Sequence, residues 1–93
     1  MSVLVRIPTV LQRYTANQAE IGIEGAETLR DLVNKLAEHN EQIKTMLLDE
    51  KGELRHRIAN VFVNEEDVRF LQKLDTPLKD GDEVSIISAA AGG

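Results

Sequence analysis

The sequence predicts an α+β fold: a two-layer sandwich with one main helix laid across a mixed sheet of about five strands. Three observations predict it. Apolar, β-branched runs stand at the two ends of the chain, around Val3, Val5 and Ile7 and around Val84, Ile86 and Ile87. A single well-formed amphipathic stripe, Leu29, Leu32, Val33 and Leu36, lies between them. Short alternating segments and polar turns fill the rest, an order that packs a helix on one face of a sheet.

Residues 3–7 open the first strand, with Val3, Val5 and Ile7 on one face at period two and Pro8 closing it. Leu4 on the other face implies partial burial there as well. Residues 12–17 are polar and irregular and read as a loose turn. Residues 18–24 alternate again, placing Ala19, Ile21 and Ile23 together, so the first two strands form a hairpin.

Thr28 is a good helix N-cap, and Asp31 three residues on can reach back and favours the positive helix end. The helix is expected to fade at Glu38, His39 and Asn40. Asp31 and Lys35, four apart, can pair on its wet face. Ile43, Met46 and Leu47 support a short second helix over residues 41–48, followed by a charged turn at residues 49–53. Arg55, His56 and Arg57 read as a solvated strand edge. Residues 58–63 form a third strand, residues 64–67 a tight polar turn, and residues 68–71 a short fourth strand. Pro77 presets a single turn at residues 75–78, and Gly81 takes a positive dihedral in the reversal before the last strand, residues 83–88. The first and last strands, both rich in Val and Ile, are expected side by side at the sheet centre. The chain divides into a folded domain, residues 1–88, and a flexible tail, residues 89–93.

With 93 residues and 42% hydrophobic content the chain suits one small domain. Its aromatic residues are Tyr14, Phe62 and Phe70, so the core is Leu, Ile and Val. The net charge of −5 gives no electrostatic pull toward phosphate backbones, which argues against nucleic-acid partners. No run approaches the roughly 20 apolar residues of a membrane span. The start of the chain lacks a basic-then-apolar signal layout, so a cytoplasmic location is expected. The absence of cysteine excludes disulfides, thiolate metal sites and cysteine nucleophiles. His39 and His56 are isolated, and no metal site is expected. The acids at residues 65–67 read as a solvated turn, and no catalytic triad or phosphate loop is visible.

The tail reads Ala89-Ala90-Ala91-Gly92-Gly93. A glycine pair has no side chain to pack and loses the most conformational freedom on ordering, so it is not there for stability. It offers a slim backbone bearing a carboxylate that a narrow active site can reach. Gly93 is the candidate functional group, with Gly92 and Ala91 giving it access.

Three stretches carry a family resemblance: Thr28-Leu29-Arg30-Asp31-Leu32 at the helix start, residues 62–70 with Asn64, Asp67, Val68 and Arg69, and residues 78–87 with Asp80-Gly81-Asp82 running into Gly92-Gly93. In this order the chain resembles the MoaD/ThiS family of sulfur carriers, which have the β-grasp, or ubiquitin-like, fold. The likeness spans the whole chain. Within the family its length, the segment between Ile43 and Arg57 and the residues around Asn64 are most similar to carriers of cysteine biosynthesis. Family members often carry Pro at the position of Ser88 or Ala89 and Val near Ala90, a departure that bears on partner choice.

The resemblance implies a protein cosubstrate, not an enzyme. An E1-like adenylating enzyme would spend ATP on the Gly93 carboxylate, and a sulfur donor would convert it to a thiocarboxylate. The sulfur would pass to an acceptor on a second enzyme, such as a cysteine-synthase-like protein. No cofactor would be held by the chain itself. Alternatives are a molybdopterin synthase small subunit, or a ubiquitin-like modifier attached through the same glycine. Docking is expected on the exposed sheet face and hairpin, with Phe70, Leu71 and Arg69 as candidates, although a phenylalanine ordinarily joins the core.

Overall fold

The computed structural model describes residues 2–88. In chain order the elements are β1 (Ser2–Arg6), β2 (Glu20–Glu24), α1 (Leu29–His39), α2 (Glu41–Leu47), β3 (Ala59–Val63), β4 (Glu66–Asp67) and β5 (Glu83–Ser88). Single 3-10 segments span Thr9–Tyr14, Val68–Phe70 and Lys73–Asp75. The five strands form one sheet in the order β2-β1-β5-β3-β4, with β1 and β5 parallel and the other neighbours antiparallel. The Val- and Ile-rich first and last strands are therefore neighbours inside the sheet, as expected.

Side-chain alternation divides the sheet into two faces. Val3, Val5, Ile21, Ile23, Ala59, Val61, Val63, Val84 and Ile86 are buried on the inner face. Against them α1 lays Leu29, Leu32, Val33 and Leu36, and α2 adds Ile43 and Leu47. Burying each such side chain is worth roughly 1.5–3 kcal/mol before conformational entropy is counted. Ala19 does not join Ile21 and Ile23: it lies exposed just before β2, where its carbonyl accepts the Ile7 N–H at 2.8 Å.

The α1 start follows its sequence. Thr28 is the cap, its hydroxyl accepting the Asp31 N–H at 3.2 Å. Asp31 reaches back to the Glu27 N–H at 3.2 Å and uses its carboxylate there, so the expected Asp31–Lys35 pair is replaced by this local cap. Asn40 ends α1 and caps α2, accepting the Gln42 N–H at 2.9 Å.

Four segments depart from expectation. The connection after β1 is not a loose turn but the 3-10 segment Thr9–Tyr14, which inserts Leu11 into the core. Residues 68–71 are not a strand: β4 is the pair Glu66–Asp67, and the chain then turns to bury Val68. The single turn expected at residues 75–78 comes earlier, as the 3-10 segment Lys73–Asp75. Arg55 is not a solvated edge residue; its Nε donates to the Leu48 and Thr45 carbonyls at 2.9 and 3.1 Å, at the C-terminal end of α2.

Candidate functional site

Gly93, Gly92 and Ala91, with the flexible tail expected over residues 89–93, lie outside the described residues. The structure does show the platform from which that stretch departs. β5 carries the chain to Ser88 between two neighbours: residues 83–85 pair with β1, and residues 84–88 pair with β3. Glycine at 81 makes the preceding reversal, with φ of +87°. The reversal is anchored to the other end of the chain, because the Gly81 N–H donates to the Ser2 carbonyl at 2.8 Å. The Ser2 N–H in turn donates to Asp80 Oδ1 at 2.7 Å.

Cross-strand registers define the outer face of the sheet, since residues directly opposite share a face. Asn60 stands opposite Ile87, and Phe62 lies between Ser85 and Asp67. Leu4 pairs with Glu83 on the same face. Ile87 is 48% exposed, and Phe62 and Leu4 are half-buried. In the same row as Phe62, across Ser85, Arg6 donates to Glu20 and Glu83, both at 2.9 Å. The pair with Glu83, more than that with Glu20, holds the Arg6 guanidinium more firmly protonated than usual. The outer face thus sets Ile87, Phe62 and Leu4 among the Arg6, Glu20 and Glu83 charges, a mixture of apolar and charged groups like that of a transient docking surface.

The three residues expected at a docking surface are all at the surface. Phe70 is 83% exposed and Leu71 38%. Arg69 is bound to Asp67, with its Nη2 2.8 Å from Oδ2. That guanidinium holds the Asp67 carboxyl below the usual carboxylate range. The structure does not join Phe70 to the core, where a phenylalanine ordinarily goes; leaving the ring in water forgoes roughly 1.5–3 kcal/mol of burial. Ile87 and Phe62 were not singled out in the sequence. The signal was present: both fall on the polar phase of otherwise buried strands, where an apolar residue has no core to enter.

Asn60, beside Ile87, is the one residue among those described whose buried side-chain oxygen lacks a hydrogen-bond partner. Among the described residues no group of three acidic, histidine or cysteine side chains is placed to hold a metal. No helix among them is long and apolar enough to cross a membrane. A groove of about 390 Å³ is lined by Arg30, Asp49, Lys51, His56, Lys73 and Asp75. With Glu53 also in the lining, its charges are mixed in sign, and Arg30 and Asp75 pair with each other.

A β-grasp sheet with one crossing helix and a central last strand leading to Gly92-Gly93 defines a ubiquitin-like carrier domain. The chain belongs to the ThiS family, whose model matches residues 5–93. It is 41% identical to the sulfur carrier protein CysO of Mycobacterium tuberculosis, over the full length of both chains. The crystal structure of that protein is matched with a TM-score of 0.85 at 38% identity, covering 95% of this chain and 99% of the other. A chain of the crystal structure of the Amycolatopsis orientalis BexX/CysO complex matches with a TM-score of 0.87 at 37% identity, covering 98% of this chain and 99% of the other.

Proposed function

We propose that this chain is a sulfur carrier serving cysteine biosynthesis, with the Gly93 carboxylate as its reacting group. The observation that carries the reading is the full-length likeness to a sulfur carrier, within a family match that runs through Gly92 and Gly93.

A carboxylate is a poor electrophile, because its charge repels nucleophiles and oxide is a bad leaving group. In this reading a carboxylate oxygen of Gly93 attacks the α-phosphorus of ATP on an E1-like enzyme, and pyrophosphate leaves. A sulfide equivalent from a donor then attacks the acyl carbon, and AMP leaves. The resulting thiocarboxylate sulfur adds to an electrophilic carbon of an acceptor bound to a cysteine-synthase-like enzyme, and water then cleaves the acyl–sulfur bond, leaving the sulfur on the acceptor and the Gly93 carboxylate restored. The chain contributes no acid, base or nucleophilic side chain; it acts as a cosubstrate in the cytoplasm. Glycine at 92 and 93 fits this task, since a Cβ at either position would obstruct a narrow channel. The outer sheet face, with Ile87 and Phe62, supplies the docking strip, and Phe70, Leu71 and Arg69 flank it.

Intact mass after incubation with ATP, the activating enzyme and a sulfur source tests the reading. Replacement of one oxygen by sulfur, lost on deletion of Gly93, supports it. Adducts on lysines of other proteins with no sulfur gained would support a modifier instead. An unaltered mass would overturn both covalent roles. Co-purification with a molybdopterin synthase subunit, in place of a cysteine-synthase-like enzyme, would reassign the acceptor.

A further inference from the structure

The turn after β4 combines an exposed ring with a fixed base. Phe70 projects into water, yet Val68 two residues earlier is fully buried. Asp67 accepts three hydrogen bonds from Arg69. The backbone N–H reaches Oδ1 at 2.9 Å, while Nε and Nη2 reach Oδ2 at 3.1 and 2.8 Å. The side chain of Asp67 is 9% exposed and that of Arg69 44%. The guanidinium carbon lies 5.9 Å from the Phe70 ring centroid, within cation–π range. Nε and Nη2 are committed to Asp67, and Nη1 has no partner among the described residues.

From this geometry we infer that Asp67 is a positioning residue. It holds Arg69, and through it the Phe70 ring, as a preformed anchor for the enzyme that activates Gly93. The inference rests on the carrier reading above.

Reach identifies the occupant. The five residues after Ser88 span at most about 18 Å when fully extended. Asp67 pairs with Phe62, and Phe62 with Ser85. That places Asp67 two strand spacings across and three residues along from Ser88, about 14 Å away. An enzyme whose cleft closes on Gly93 therefore has this edge of the sheet within reach. Its matching surface is an apolar pocket for the ring, with a carboxylate or carbonyl facing Arg69 Nη1. An anchor locked before contact loses less side-chain freedom on binding than a mobile one.

The test is ATP–pyrophosphate exchange by the E1-like adenylating enzyme of the same organism, with the full-length carrier as varied substrate. Phe70→Ala is expected to raise the carrier KM about tenfold or more at unchanged kcat. Asp67→Asn is expected to raise it several-fold, and the Asp67→Asn/Phe70→Ala double variant to raise it by less than the product of the two single effects, because the two residues are coupled through Arg69. Arg69→Lys, which keeps the charge and loses the planar fork, should behave like Asp67→Asn and serves if that variant folds poorly. The NMR signal of Arg69 Nε–H, protected in the wild type, should be lost in Asp67→Asn while the sheet amides stay in place. Additive KM effects, or a KM indifferent to Phe70→Ala, overturn the anchor. No exchange with the wild-type carrier overturns the carrier reading, and the anchor with it.

Discussion

Asn64 joins two turns that are distant in sequence. Its Nδ2 donates to Asp82 Oδ1 at 2.9 Å, and its Oδ1 accepts the Glu83 N–H at 3.0 Å. Its own N–H reaches the Glu83 carbonyl at 2.8 Å. One side chain thus fixes the β3–β4 turn against the start of β5. It also holds a φ of +49°, a region that Asn tolerates and Ala does not. Asn64→Ala is expected to cost about 2 kcal/mol, from lost hydrogen bonds and backbone strain together. In a domain of this size that lowers Tm by about 10 °C. A calorimetric scan within 2 °C of the wild type, a margin of roughly a few tenths of a kcal/mol, would show the bridge to be incidental.

Glu65, the second residue of the same two-residue loop, also has a positive φ, +74°. Two consecutive positive dihedrals are the geometry of a type I′ hairpin turn, for which Asn-Gly is the favoured pair. Glu65→Gly is therefore expected to stabilise the domain by about 1 kcal/mol, read as a rise in the urea midpoint. A fall in the midpoint would mean that the glutamate side chain contributes more than its backbone strain removes.

The orphaned Asn60 oxygen makes a prediction of the same kind. A buried acceptor without a partner carries a desolvation penalty of about 1–3 kcal/mol. Asn60→Val removes that group and places a β-branched residue on a strand, so stability should rise by about 1 kcal/mol. Destabilisation on chemical denaturation would show that the oxygen is satisfied in solution.

Acid should weaken the fold through two aspartates. The Arg69 guanidinium holds Asp67 below the usual carboxylate value, and the Glu53 backbone N–H does most to lower Asp49. Each binds its proton more weakly in the folded chain than in the unfolded one. Their stabilising contribution is therefore complete above the unfolded value of about 4 and is lost as pH falls through the lower folded values. Urea titrations should give a midpoint that is flat from about pH 7 to 5 and declines below about pH 4, with a shallower decline in Asp67→Asn. An acid limb unchanged in that variant would remove Asp67 from the account.

Ile87 separates stability from docking. Exposed and on the outer face, it should tolerate Ile87→Thr with a change of no more than about 0.5 kcal/mol. Binding to the activating enzyme, measured by titration calorimetry, should weaken markedly if the outer face is the docking strip. Unchanged binding would move the docking surface elsewhere.

The sequence made α1 legible because two independent signals agreed there: a cap at Thr28 and an apolar stripe that continues for two turns. β1 and β5 were legible because Val3, Val5, Val84 and Ile86 repeat at the strand period of two. What stayed hidden was tertiary in origin. The segment Thr9–Tyr14 buries a single residue, Leu11, and one residue has no period. Val68 and Phe70 alternate with Arg69 as a strand would, but the turn sends Val68 inward and leaves Phe70 outside. Arg55 looked like an edge residue because its partners, the carbonyls that end α2, are not visible as residue types. The candidate site divided in the same way. The glycine pair was plain from chain chemistry, whereas Ile87 and Phe62 became a strip only when register placed them on one face.

The placement of β5 has a mechanical consequence. A force drawn on the chain beyond Ser88 runs along a strand bonded to β3 over residues 84–88 and to β1 over residues 83–85, antiparallel to the one and parallel to the other. Both ladders are then loaded in shear, their hydrogen bonds resisting together instead of opening one after another like a zip. Tension at that end should therefore meet resistance from the sheet as a whole.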